Sequence, residues 1–159
     1  MLSTLDWKNS EDARDIVHIV VQALVEGRMV ALPADTGYHL VASGLRDQYV
    51  EKWKQLAQSQ QIGCNSLLLR SPQELLDFVV SLSPVASRMS QRGWPGPLTL
   101  ELKATGHRSL MSQLPHQVRT LLEASDYSRF RVATHDVMRQ ALRLMPGPLL
   151  VAPIKHLGR

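Results

Sequence analysis

The chain of 159 residues lacks several features that identify common classes of protein. Its single cysteine, Cys64, excludes an internal disulfide and a zinc site built from cysteines. It has no apolar run of about 18 residues that would span a membrane, because the best candidate, 16–25, is interrupted by His18 and Gln22. Residues 1–11 do not join a basic start to an apolar stretch, so no secretory signal is predicted. A soluble cytoplasmic protein is the expectation.

The usual catalytic and phosphate-binding motifs are also missing. The glycines are scattered, which excludes the common glycine-rich phosphate loops, and no Gly-x-Ser-x-Gly sequence provides a nucleophile elbow. The six histidines are isolated in sequence, with no pair at the spacing of a helical metal site. No base can be placed beside Cys64. We therefore assign no catalytic residue and no metal ligand from the sequence.

Charge is present but unevenly distributed. The net charge is −3 over residues 1–80 and +7 over residues 81–159, and the chain has 13 arginines against five lysines. The planar guanidinium suits phosphate or carboxylate, so the basic half is compatible with a nucleotide or RNA ligand. Ordinary surface pairing accounts for the charge equally well. The sequence gives no evidence on oligomeric state.

Alternating helix and strand patterns predict a single α/β domain over residues 1–159, with a twisted mixed sheet flanked by helices. Several connections are too short for full crossovers, which favours a mixed sheet over a parallel one. The predicted strands are 29–32, broken by Pro33, and then 38–42, 67–69, 98–102, 130–133 and 149–152. The predicted helices are one capped by Asn9 or Ser10 and ending at Gly27, one over 46–57, one from a capping box at Ser71–Glu74, one from Ser83, one from Pro115 and one capped by Thr134.

Two segments stand out within this pattern. In the segment 32–40, Asp35 and Thr36 follow a strand, where open α/β sheets place their ligands, although both residue types also stabilise turns by bonding their own backbone. In the segment 93–100, two prolines and two glycines precede a strand, with Trp94 as a predicted apolar plug.

Together with Arg131–His135 and Pro148–His156, these segments resemble the YrdC-like family, whose best-known members are threonylcarbamoyl-AMP synthases. The resemblance covers nearly the whole chain, and the block 94–99 (Trp-Pro-Gly-Pro-Leu-Thr) is its most specific part. It implies a YrdC-like fold, a positively charged concave face that binds ATP, bicarbonate and L-threonine, a role in tRNA modification, and an association with double-stranded RNA.

The chain also departs from the family pattern. The first motif has Ala34 in place of threonine and His39 in place of glycine. The Lys-x-Arg that holds the nucleotide phosphates should fall near Ser59 and Gln61, which carry no charge. Ile154–His156 replaces the Ser-Ala-Asn motif, and the chain ends at Arg159, before the segment that usually completes the domain.

These departures lead to two hypotheses. In the first, the chain is a divergent YrdC-like domain that binds double-stranded RNA, tRNA or a nucleotide-like ligand in a basic cleft, without the standard adenylation. In the second, it is an active L-threonylcarbamoyladenylate synthase-type enzyme in which Lys54 or Lys155 replaces the missing cations. ATP is the one cofactor implied, no membrane partner is predicted, and an assembly factor acting through another surface stays open. The predicted ligand-binding residues are Asp35, Thr36, Tyr38, Arg131, Lys155 and His156.

Overall fold

The computed structural model describes residues 4–5, 12–104, 109–123 and 126–155. Within these residues helices and strands alternate, with two short 3-10 turns at 72–74 and 110–113. The helices are α1 (Ala13–Val25), α2 (Val50–Gln58), α3 (Leu75–Phe78), α4 (Pro84–Gly93), α5 (His116–Leu122) and α6 (Asp136–Leu144). The strands are β1 (Val30–Ala34), β2 (Gly37–Ser43), β3 (Ser66–Leu68), β4 (Leu100–Lys103), β5 (Tyr127–Arg131) and β6 (Leu149–Pro153). None of the described helices has the length and apolar character needed to cross a membrane.

The six described strands form one sheet in the order β1-β2-β6-β3-β5-β4. Strands β3 and β5 pair in parallel, and the other neighbouring strands pair antiparallel. The prediction of an α/β domain with a mixed sheet flanked by helices is confirmed. The short connections that suggested it include the β1–β2 hairpin, which reverses the chain in two residues.

Apolar side chains cover both faces of the sheet. On the face packed against α1 and α6, the buried cluster includes Leu24, Val41, Leu68, Met138 and Leu149. On the opposite face, packed against α2, α3 and α5, the larger cluster includes Trp53, Phe78, Trp94, Val118 and Phe130. Successive residues of a strand point to opposite faces of the sheet, so neighbouring strand residues contribute to different clusters.

Helix α1 has clear signals at both ends. The side chain of Asp12 accepts a hydrogen bond from the Arg14 N–H at 2.8 Å, so Asp12 is the N-cap. The predicted caps, Asn9 and Ser10, lie outside the described residues. The helix ends as predicted at Gly27, whose φ of +79° lies in the left-handed region that favours glycine.

The prediction that Pro33 breaks the first strand is wrong. Strand β1 continues to Ala34, with Pro33 opposite Tyr38 of β2. Strand β1 is at the edge of the described sheet, where a residue without an N–H group costs no hydrogen bond on the open side. The strand therefore ends two residues later than predicted, directly before the turn at Asp35.

The predicted capping box at Ser71–Glu74 does not form. Ser71 makes no side-chain capping bond, and the Glu74 carboxylate accepts from the backbone N–H of Arg70 at 2.6 Å and from its guanidinium at 2.7 Å. The chain forms a 3-10 turn and a single α-helical turn, which leaves Leu76 exposed at 62%. The cap at Ser83 is confirmed, since its hydroxyl accepts from the Ala86 N–H at 3.1 Å.

The segment 94–98 connects α4 to the sheet. The indole of Trp94 is buried, as predicted, and its Nε1 donates to the Leu98 carbonyl at 2.7 Å. The Gly96 N–H donates to the Val132 carbonyl at 3.0 Å, and a Cβ on Gly96 would lie 2.4 Å from the Gly93 oxygen. The Val132 carbonyl thus accepts from Gly96 and not from a neighbouring strand. Strand β5 accordingly ends at Arg131, whereas the sequence predicted an end at residue 133.

Candidate functional site

The turn between β1 and β2 consists of Asp35 and Thr36. It lies between the paired residues Ala34 and Gly37, and Gly37 has a φ of +111°, a conformation that other residues rarely adopt. Asp35 is half-buried and Thr36 is exposed. The turn therefore directs one carboxylate inward and leaves one hydroxyl at the surface.

The Asp35 carboxylate binds a distant segment of the chain. Its Oδ1 accepts from the Thr134 backbone N–H at 3.3 Å and, more closely, from the Thr134 hydroxyl. The prediction that Thr134 caps α6 is therefore wrong: the N-cap position is His135, without a side-chain capping bond, and the Thr134 hydroxyl is used by Asp35 instead. The bond joins the β1–β2 hairpin to the connection between β5 and α6.

A second contact between the same two regions joins His39 and Arg131. The Nη1 of Arg131 lies 3.2 Å from the Nε2 of His39, and the two residues are only 7% and 2% exposed. A guanidinium has donors and no acceptor, so Arg131 donates and His39 accepts through an unprotonated Nε2. The contact therefore requires a neutral His39.

The twist of the sheet accounts for this contact. Strands β2 and β5 are separated by β6 and β3, a spacing of roughly 14 Å between strand axes. The register also sets Arg131 level with Ser43, four residues along β2 from His39. Both side chains point to the face that carries α1 and α6. In a twisted sheet, diagonally opposite corners curl toward the same face, which brings these two side chains together.

Burial controls the charge state of this pair. The pKa of His39 is lowered to about 4, chiefly by burial and also by the nearby Arg131, while Asp35 acts in the opposite direction. Burial also lowers the pKa of Arg131, against the opposing effect of Asp35. At neutral pH, His39 is therefore uncharged.

Two buried polar atoms beside the Asp35–Thr134 bond have no hydrogen-bond partner among the described residues. Asp35 Oδ2 and His135 Nδ1 are buried and make no hydrogen bond within the described residues. Buried polar atoms are normally satisfied by protein, water or ligand, so an unpartnered carboxylate oxygen and an unpartnered ring nitrogen indicate groups that an additional molecule can satisfy. We name the set Asp35, His39, Arg131, Thr134 and His135 the hairpin corner.

Two of the remaining predicted ligand residues, Tyr38 and Lys155, lie beside the hairpin corner. The ring of Tyr38 is exposed, and alternation along β2 directs it to the face opposite His39. The Tyr38 carbonyl accepts from the Ile154 N–H, and the Gln61 carbonyl accepts from the Lys155 N–H, both at 2.9 Å. The Lys155 side chain is exposed, and His156 lies outside the described residues. Arg131 and Asp35 thus belong to one cluster, whereas Tyr38 and Lys155 flank it.

Sequence reasoning missed His39, Thr134 and His135. In the sequence His39 is one of six isolated histidines, although its position in place of the family glycine is a signal that identifies it. Thr134 and His135 carried no such signal, because a threonine before a helix fits a cap equally well. Within the described residues there is no group of three or more His, Cys, Asp or Glu side chains able to hold a metal ion.

We expect Thr134→Val to lower the free energy of unfolding by about 1 kcal/mol, because it removes the hydroxyl donor and keeps the shape of the side chain. The measurement is urea unfolding at pH 7. Thr36→Val serves as the control, since Thr36 is exposed and its substitution should change stability by less than about 0.5 kcal/mol. Equal stability of the Thr134→Val variant and wild type would contradict the assignment of the Asp35–Thr134 bond.

Comparison with known proteins identifies relatives of this chain by sequence and by fold. The model of the Sua5/YciO/YrdC family, described as telomere recombination, matches residues 22–155. No curated protein matches the chain.

Several solved structures share the fold, and those of Sua5, YciO and HypF are three of them. Sua5 from P. abyssi, complexed with L-threonine, is 23% identical, with a TM-score of 0.68 over 86% of this chain and 37% of that chain. YciO from E. coli is 22% identical, with a TM-score of 0.68 over 87% of this chain and 63% of that chain. HypF in its phosphate- and nucleotide-bound form is 20% identical, with a TM-score of 0.66 over 91% of this chain and 17% of that chain. The chain thus spans less than two thirds of each of these proteins, and the match over residues 22–155 establishes that it belongs to the Sua5/YciO/YrdC family.

Proposed function

We propose that this chain is a divergent Sua5/YciO/YrdC domain that binds RNA, duplex or tRNA, or a nucleotide-like ligand at the hairpin corner, without standard threonylcarbamoyl-AMP synthesis. The proposed ligand residues are Asp35, Thr36, Tyr38, Arg131, Lys155 and His156.

One observation carries the proposal of a ligand site. Two segments that are distant in sequence meet at the hairpin corner through the pairs Asp35–Thr134 and His39–Arg131. Backbone hydrogen bonds join two further segments beside it, through the pairs Tyr38–Ile154 and Gln61–Lys155. Three of these segments, at 35–39, 131–134 and 154–155, belong to the stretches that carry the family resemblance, whereas Gln61 marks a departure from it. The unpartnered Asp35 Oδ2 and His135 Nδ1 add an acceptor and a ring nitrogen that a bound molecule would satisfy.

The charge distribution supports the loss of adenylation. Formation of an adenylate requires cations that neutralise the triphosphate as pyrophosphate leaves, and one such donor is typically worth about 3 kcal/mol of barrier. Ser59 and Gln61 stand where the resemblance predicts the family's cations, and both are exposed and neutral. His39 fills the position of the family glycine and ties up a donor of Arg131.

Two considerations support a nucleotide or RNA as ligand. HypF, which shares the fold, was solved with phosphate and nucleotide bound, and the C-terminal half of this chain has a net charge of +7. Long-range attraction of a polyanion depends on such net charge. Because Arg131 is buried, the exposed Lys155 is the cation through which this part of the chain would meet a phosphate backbone.

A specific observation also favours the alternative, an active L-threonylcarbamoyladenylate synthase-type enzyme that uses ATP, bicarbonate and L-threonine. The Lys155 N–H donates to the Gln61 carbonyl, so the Lys155 backbone lies beside the positions that lack the family's cations. Lys155 would replace only one of the two cations that the family's Lys-x-Arg provides, so this alternative is the weaker one.

The test is a titration with duplex RNA of about 20 base pairs, and in parallel with ATP, at several salt concentrations. For RNA we expect log affinity to fall linearly with log salt, and Lys155→Gln to reduce the slope by about 1. Lys103→Gln, at an exposed position of β4, is the matched control with an unchanged slope. Absence of binding to both ligands at low salt, or RNA affinity that ignores salt, would overturn the binding proposal. Pyrophosphate release above background from ATP, bicarbonate and L-threonine would instead establish the enzyme.

A further inference from the structure

Three arginines line a cleft outside the hairpin corner. The cleft lies between the end of β3 and α6, and Arg70, Arg139 and Arg143 contribute to its walls. Leu68, Leu69, Ala133 and Leu142 form its apolar sides, and its cavity volume is about 50 Å³. We name it the arginine cleft. A cavity of this size admits a small anion and excludes a duplex.

Arg70 is fixed in place within the arginine cleft. Its Nη1 lies 2.7 Å from Oε1 of Glu74, and its Nη2 donates to the Met145 carbonyl at 2.6 Å. The charge of Arg70 is thus balanced by Glu74, and Arg70 serves as a rigid wall with donors already oriented.

Arg139 and Arg143 are different, because neither pairs with a carboxylate in the part of the chain that the structure describes. They lie four residues apart on α6, a spacing at which like charges repel and destabilise a helix. The helix dipole accounts for Arg143, which is in the last turn, but not for Arg139. Two unneutralised guanidinium groups on one side of a cleft are the chemistry that binds phosphate.

Positive charge continues beyond the arginine cleft. Arg143 also lines a neighbouring cleft between α1 and α6, where Arg14 and His18 contribute to the wall. The residues lining the two clefts include no Asp or Glu. The residues that line the two clefts therefore offer an anion several donors, of which Arg70 is already paired with Glu74.

We propose that the arginine cleft is an anion site that binds a phosphate group through Arg139 and Arg143, separately from the ligand of the hairpin corner. The phosphate belongs to free orthophosphate, to a nucleotide or to an RNA backbone, since all three present the same tetrahedral oxygens. Guanidinium groups bind these oxygens through paired N–H donors.

The test is a titration of the isotopically labelled protein with sodium phosphate at constant ionic strength, followed by amide chemical shifts. We expect saturable shifts at residues 68–70 and 139–143, and about tenfold weaker binding in the R139Q/R143Q variant. The matched control is R88Q/R92Q, which removes the same charge at the same spacing from the exposed side of α4, with Arg92 also in its last turn. It should keep the wild-type affinity.

Titration of the same variants with ATP and duplex RNA identifies the source of the phosphate. Affinity for ATP or RNA that falls together with that for orthophosphate assigns the site to that ligand, and loss of orthophosphate binding alone assigns it to the free anion. Wild-type protein that shows no saturable orthophosphate binding, or an equal loss in R88Q/R92Q, would overturn the site. Lys155→Gln should leave the orthophosphate titration unchanged, so this proposal and that for the hairpin corner fail independently.

Discussion

Acidification from pH 7 to pH 4 is expected to lower the free energy of unfolding by about 3 kcal/mol more in the wild-type protein than in a His39→Gln variant. In the folded protein the pKa of His39 is about 4, chiefly because the ring is buried and further because Arg131 lies beside it. In the unfolded chain it returns to an ordinary value near 6.5. Between pH 6.5 and 4, His39 therefore binds a proton in the unfolded state and stays unprotonated in the folded state.

The direction follows from this difference in proton binding. Above pH 6.5 neither state protonates His39, and the full stability is present. Between pH 6.5 and 4 the unfolded state takes up a proton and gains free energy, so stability falls with each step of acidification. Below pH 4 the folded state also binds the proton, which converts His39 Nε2 into a donor facing the Arg131 guanidinium and breaks their hydrogen bond.

The measurement is urea unfolding at half-unit pH steps between 7 and 4, for wild type and His39→Gln. His116→Gln, at an exposed position, is the matched control and should follow the wild-type curve. NMR titration of the His39 ring gives an independent reading of its pKa. Parallel stability curves for wild type and His39→Gln, or titration of His39 near pH 6.5, would contradict the buried neutral state.

Local chemistry made much of the fold predictable. The apolar spacing of Ile16, Val20 and Leu24 predicts α1, and Gly27 predicts its end, because both signals act within a few residues of where they are read. The error at Pro33 had a different origin. Whether a proline interrupts a strand depends on whether that strand is at the sheet edge, and the strand order is decided by residues far away in sequence.

The candidate site was predictable only in part, for a related reason. Asp35 could be chosen because it follows a strand, and Arg131 because it matches a family segment. Their partners could not be chosen, because the contact between His39 and Arg131 depends on twist accumulated across four strands. The arginine cleft had a weak signal, namely Arg139 and Arg143 at helical spacing, with Asp136 as the one acidic residue at a neighbouring helical position. The arginine spacing alone does not predict which residues pack beside this face of α6, because that depends on the tertiary structure.

Trp53 links the core to the segment beside the hairpin corner. Its ring is fully buried on α2, with the Tyr49 ring centroid at 5.6 Å. Its Nε1 donates to Asn65 Oδ1 at 2.8 Å, and Asn65 Nδ2 donates to the Leu121 carbonyl at 2.8 Å. These bonds fix α2 against α5. Helix α2 in turn leads into the turn at residues 59–61, whose last carbonyl receives the Lys155 N–H.

We expect Trp53→Ala to lower the free energy of unfolding by about 4 kcal/mol, because it leaves a large cavity and removes the donor to Asn65. Trp53→Phe keeps most of the packing and should cost about half as much, because the half-buried Asn65 oxygen is left without its donor. In the Phe variant, hydrogen exchange should accelerate at the Lys155 amide and stay unchanged at the Arg14 amide, which α2 does not support. Urea unfolding and exchange measured by NMR test both parts. A loss below about 1 kcal/mol in Trp53→Ala, or equal exchange at Lys155 in the Phe variant and wild type, would mean that α2 does not hold this segment in place.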